Sequence, residues 1–138
     1  MISLKNKIIS VREEPIMSRH ILDSAKIHPA IQETVASKNL DIVLEVQQAI
    51  ASNKIVVVGM AQNPAPKRAR KTLDALGAEH AYLEYGSYFS LWYRRNALKM
   101  WTGWPSFPMI FVDGVLIGGN SDLNALIESG EFAKMTGK

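Results

Sequence analysis

The chain has 138 residues, of which 47% are hydrophobic and 21% charged, and none is cysteine. That length suits one domain able to bury roughly two thirds of the surface its unfolded chain exposes. The missing cysteines exclude a disulfide framework, a Cys-x-x-Cys redox pair, a thiolate nucleophile and any cysteine-held zinc or iron–sulfur site. A net charge of +3 is mildly basic, and His20, His28 and His80 lack metal-ligand spacing.

Residues 1–17 show no strong periodicity and contain Pro15, which suggests an extended lead-in. Arg12, Glu13 and Glu14 interrupt any apolar h-region, so no secretory signal is expected. No apolar stretch approaches the ~18 residues of a membrane span. A soluble cytoplasmic protein without a membrane partner is the expectation.

Ser18 is placed to cap a short amphipathic turn through Ile21, Leu22 and Ala25. Pro29 suits a first helical position, with Ile31, Val35 and Ala36 following at helical spacing. Asp41 is placed to cap a helix whose Ile42, Val43, Val46 and Ile50 share one face. Lys54 to Val58 is a β-branched run, apolar on both faces, which suits a buried central strand. Asn63-Pro64-Ala65-Pro66 leads into a helix over Lys67 to Leu76, with Ala69, Leu73 and Leu76 inward and Gly77 as its stop. His80 to Tyr85 reads as a second strand, and Tyr88 to Trp101 as a longer helix. Met109 to Val112, Asp113-Gly114 and Val115 to Ile117 spell strand, tight turn, strand. A last helix runs from about Ser121 to Ile127, with Asn120 or Ser121 as its cap.

The order β-α-β-α-β-β-α predicts an α/β domain with a mixed four-stranded sheet. Its first two strands pair in parallel through a crossover helix, and its last two form a hairpin. Residues 1–39 form a partly helical extension in this reading, and residues 40–138 the domain proper.

From about residue 40 to 136 the chain resembles the glutaredoxins, of the thioredoxin-fold superfamily. The residues that carry the resemblance are Trp104-Pro105-Ser106-Phe107-Pro108, Val112-Asp113-Gly114 and Ile117-Gly118-Gly119-Asn120-Ser121-Asp122-Leu123. Around Trp104–Phe107 and Gly119 the likeness is to the monothiol branch. The resemblance implies a thioredoxin-like fold, glutathione as ligand, and a Cys-Pro-x-Cys or Cys-Gly-Phe-Ser motif after the first strand. That motif position holds Asn63, Pro64, Ala65 and Pro66, with Asn63 at the nucleophile and Pro66 at the resolving residue. An amide has no anionic form with which to attack a disulfide. Asn followed by Pro is a good helix start, so the position reads as a site rebuilt into a cap.

The resemblance also implies ligand-binding positions. Arg95 and Lys99, four apart on one helix face, match those that hold the glycine carboxylate of glutathione; taken alone they would better suit a solvated basic face. Pro108 matches the family's cis-proline, which turns the backbone of Phe107 toward an extended ligand; a trans proline opening a strand is the plain alternative. Gly119, Asn120, Ser121 and Asp122 match the segment receiving the γ-glutamyl end. The family's lysine at the end of the first strand falls at Met60.

The basic run Lys67-Arg68-Ala69-Arg70-Lys71 lacks interleaved aromatics and suits a solvated helix face, so no nucleic-acid partner is expected. Tyr85, Tyr88, Phe89, Trp92, Tyr93, Trp101 and Trp104 suit core packing in part and a protein-docking patch in part. Two functions follow as expectations, ahead of the glutathione-dependent disulfide oxidoreductase that the family label implies and the residues oppose. One is a redox-related but non-catalytic domain binding glutathione or a similar small anionic peptide. The other is a protein-interaction module with a vestigial groove. Oligomeric state is open.

Overall fold

A computed structural model of the chain describes residues 18–87 and 89–138. The lead-in over residues 1–17 and Tyr88 lie outside the described residues. The chain divides between Glu33 and Thr34 into two compact units.

In the first unit, a 3-10 turn over Ser24–Lys26 is capped by Asp23, whose Oδ1 accepts from the Ala25 N–H at 2.9 Å. Asp23 therefore replaces Ser18 as the capping residue, because a carboxylate two residues before Ala25 reaches its amide directly. Helix α1, Pro29–Ser37, begins at the proline as expected. Its apolar residues Ile31 and Val35 are exposed.

The second unit is built on a sheet with strand order β2-β1-β3-β4. Strand β1, Ile55–Gly59, is central and fully buried, as its unbroken β-branched run requires. It pairs in parallel with β2, Ala81–Glu84, and antiparallel with β3, Met109–Val112. Asp113 and Gly114, both at positive φ, turn β3 into β4, Val115–Gly118. The period-2 alternation of β1 divides the core. Val56 and Val58 face a cluster with Ile42, Val46 and Leu98, whereas Ile55 and Val57 face one with Ala69, Leu73, Leu123 and Phe132.

Helix α2, Leu40–Ser52, buries Ile42, Val43 and Val46 as its spacing predicts. Asn39, in the left-handed region, precedes it, and Asp41 lies in its first turn rather than at its cap. There Asp41 accepts from Arg94 Nη2 at 2.7 Å, a cross-helix partner that local sequence does not signal. Helix α3, Pro64–Ala75, buries Pro66, Ala69 and Leu73.

Helix α4 is Trp92–Thr102, starting later than Tyr88. Leu91 at φ 60 and Gly86 at φ 69 bend the preceding chain, and Ser87 and Ser90 hydrogen-bond each other across it. Local side-chain bonding thus competes with the helical ladder. Helix α5, Asn120–Ser129, is capped at Gly119, not at Asn120 or Ser121. A further helix, α6, Glu131–Thr136, follows Gly130 and plants Phe132 in the core.

Candidate functional site

The loop after β1 delivers Asn63 to the start of α3. The Asn63 Oδ1 accepts from the Ala65 N–H at 3.0 Å, as an N-cap should. An α-helix begins with unpaired amide N–H groups that favour an anion. Here Pro64 and Pro66 have none to offer, and that of Ala65 is taken by Asn63. A neutral cap thus stands at the nucleophile position, and the Ala65 N–H, the donor left between the two prolines, is committed to it. Pro66 itself is buried, and a Cβ placed on Gly59 would lie 2.7 Å from Pro66 Cβ.

The other face of the amide turns across the groove. Asn63 Nδ2 donates to the Phe107 carbonyl oxygen at 3.4 Å. Phe107 is joined to Pro108 by a cis peptide bond, the arrangement the resemblance implied. Lys99 Nζ lies 5.8 Å from the centre of the Phe107 ring, which brings its charge to the same loop.

Gly119 closes the far end. A Cβ there would lie 3.5 Å from the Pro108 carbonyl oxygen and 3.8 Å from Trp104 Nε1. The Asp122 Oδ2 accepts from the Gly119 N–H at 2.9 Å, a capping bond that closes the first turn of α5. Trp104 Nε1 and Asn120 Oδ1 are buried without a hydrogen-bond partner in the protein. A buried donor or acceptor left unpaired is costly. Ser121 is exposed beside them. Asn63, Phe107, Pro108, Gly119 and Asp122 thus form one continuous chain of contacts, with Lys99 over Phe107.

Arg95 is not drawn into that chain. It is 6% exposed, and its Nη1 donates to the carbonyl oxygens of Tyr85 and Ser90 at 2.9 and 2.6 Å. Burial lowers its pKa from the ordinary arginine value. Met60, at the family's lysine position, is buried in the core. A cleft of 410 Å³ is lined by Asn63 together with Lys67, Lys71, Tyr82 and Glu84 from α3 and β2. Arg70 stacks over the Tyr82 ring at 4.2 Å, so part of the basic run packs on the sheet edge. Among the described residues, no group of three or more His, Asp or Glu side chains could hold a metal ion.

Trp104, read from sequence as part of the motif and as one of the aromatics suited to core packing or docking, lies against Gly119 at the start of α5. Sequence reasoning did not find Gly59, whose need for a bare Cα appears only once Pro66 is packed against it.

The strand order, the crossover helix and the proline-led loop facing a helix start define a thioredoxin-like fold of the glutaredoxin type. A family profile described as "Glutaredoxin" matches residues 55–117. A "Glutaredoxin-like protein" of Dictyostelium discoideum is 47% identical over 92 residues, covering 67% of this chain and 75% of that protein. A "Probable monothiol glutaredoxin 2" of Rickettsia prowazekii is 33% identical over 104 residues, covering 72% of this chain and 92% of its own. Among solved structures, a buckwheat glutaredoxin–glutathione complex superposes with a TM-score of 0.62 at 25% identity, over 71% of this chain and 89% of that one.

This chain belongs to the glutaredoxin family. It carries no cysteine, so cysteine-based thiol–disulfide exchange and cysteine-ligated iron–sulfur clusters lie outside its own chemistry. No helix among the described residues is long and apolar enough to cross a membrane.

Proposed function

We propose that this chain binds glutathione, or a similar small anionic peptide, in the groove between Phe107 and Asp122 without transferring electrons to it. The observation that carries this reading is the cis Phe107–Pro108 loop set against the start of α5, where a Cβ on Gly119 would lie 3.5 Å from the Pro108 carbonyl oxygen. Lys99 offers a cation for one carboxylate, and the backbone of Phe107 offers an edge for an extended ligand. The first turn of α5, with Ser121 exposed, suits a second carboxylate, because helix N-termini favour anions. Asp122 suits an ammonium with the oxygen that Gly119 leaves free. The glutathione seen with the related buckwheat protein supports this choice of ligand.

The test is an isotope-edited NMR titration with glutathione. Shifts gathered at Lys99, Phe107 and Gly119–Asp122 are expected, and Lys99→Gln weakens binding about fivefold, the scale of one partly exposed ion pair. No shifts at millimolar ligand would contradict the reading.

The second reading, a protein-interaction module, rests on a separate feature. Phe89 is 92% exposed, and Trp92 and Tyr93, stacked at 3.8 Å, are exposed beside it. Exposed aromatics of this size suit a partner's apolar surface. Loss of the titration response with the fold intact favours this reading over the first.

A further inference from the structure

Asn63 has its carboxamide committed at both ends. With Oδ1 fixed on the Ala65 N–H at 3.0 Å, planarity decides where Nδ2 points, and it meets the Phe107 carbonyl oxygen at 3.4 Å. That oxygen is the acceptor through which an extended ligand would pair with the loop before Pro108. The contact is long for an N–H···O bond, so it is weak and displaceable. A capping residue needs only its acceptor, and the donor half of this amide has no part in starting α3.

We propose that Asn63 is an internal occupant of the groove, a specificity-determining residue that lowers the affinity of peptide-like ligands by covering the Phe107 carbonyl. The inference rests on the groove reading given above. It assigns a role to the position left without a nucleophile: the side chain that starts the helix also holds the loop in its ligand-paired state. A ligand must displace Nδ2 or share the carbonyl with it. Compounds that approach without a main-chain N–H at this point are untouched by the competition.

The experiment compares the intact chain with Asn63→Ser and Asn63→Gly, both of which preserve a good N-cap and hence the fold. Serine retains an acceptor for Ala65 but falls short of Phe107, and glycine removes the side chain. S-methylglutathione is the probe, since its blocked sulfur excludes thiol chemistry. Calorimetric titration is expected to show both variants binding roughly twofold to tenfold more tightly than the unmodified chain, the range of one net hydrogen bond. Without ligand, the carbonyl carbon resonance of Phe107 is expected to move on substitution. If the unmodified chain binds and the variants bind equally or more weakly, the inference is overturned while the groove reading stands. An unmoved Phe107 carbonyl resonance overturns it as well. If none of the three binds, both fall.

Discussion

Arg95 Nη1 donates to the Tyr85 carbonyl oxygen at 2.9 Å from a side chain that is only 6% exposed. The same nitrogen donates to the Ser90 carbonyl, so one guanidinium ties the end of β2 to the residues just before α4. Arg95→Met leaves two carbonyls without their donor and is expected to cost about 1–3 kcal/mol in a urea unfolding midpoint. Arg95→Lys keeps the charge and a nitrogen able to donate twice, and is expected to recover part of that loss. Amide exchange over residues 86–91 should quicken in both. An unchanged midpoint and unchanged exchange would show that the loop is held by other means.

Two phenols give stability a defined alkaline limit. Tyr82 is pushed up to about 12 by burial and by its hydrogen bond to Glu84. Burial, then the hydrogen bond to Glu45, raises Tyr85 as well. Above pH 10 an unfolded tyrosine has released its proton while the folded one still holds it. The unfolded chain then binds fewer protons, so unfolding free energy falls as pH rises. This contribution is whole below about pH 10 and is lost as pH climbs through about 12 at Tyr82. Urea midpoints of the Tyr82→Phe, Tyr85→Phe double variant should decline less steeply between pH 10 and 12 than those of the unmodified chain. Parallel declines would contradict the assignment.

Gly59 ends the central strand directly beneath Pro66. A methyl group there would meet Pro66 Cβ at 2.7 Å and the Tyr82 hydroxyl oxygen at 2.9 Å. Gly59→Ala is therefore expected to destabilise the chain by about 1–3 kcal/mol through overpacking. Thermal unfolding measures it. A variant as stable as the parent would mean that the start of α3 shifts freely away from the sheet.

Much of this was readable from residue pattern because local and tertiary demands agree there. The β-branched run at Ile55–Val58 suits only a buried strand, and Asp113-Gly114 accepts the positive φ that its turn requires. Asn63-Pro64 starts α3 by local chemistry alone. The late start of α4 was hidden because Leu91 adopts a left-handed conformation rare for a branched side chain. Helix α6 was hidden because it is six residues long and depends on burying Phe132. At the groove, motif spacing brought Lys99, Phe107, Pro108 and Gly119–Asp122 to one place. It could not show that the neighbouring Arg95 turns to the backbone of its own loop, since the carbonyls it meets carry no sequence signature.

The central claim is that the cradle for a glutathione-like ligand persists where the nucleophile does not, and Asn63→Cys tests it most directly. Pro64 and Pro66 supply no N–H, but the substitution frees that of Ala65 for the thiolate, so this thiol should ionise at or below the ordinary cysteine value of ~8.5. The measurement is therefore made at about pH 9, following the mixed disulfide by mass. The thiolate attacks one sulfur of the added disulfide, a sulfur–sulfur bond breaks, and one thiolate leaves. Rates are compared for oxidised glutathione and for hydroxyethyl disulfide, which has no groups for the groove to hold. The account predicts a clear preference for oxidised glutathione that Lys99→Gln reduces. A folded variant that reacts no faster with oxidised glutathione than with hydroxyethyl disulfide would contradict it.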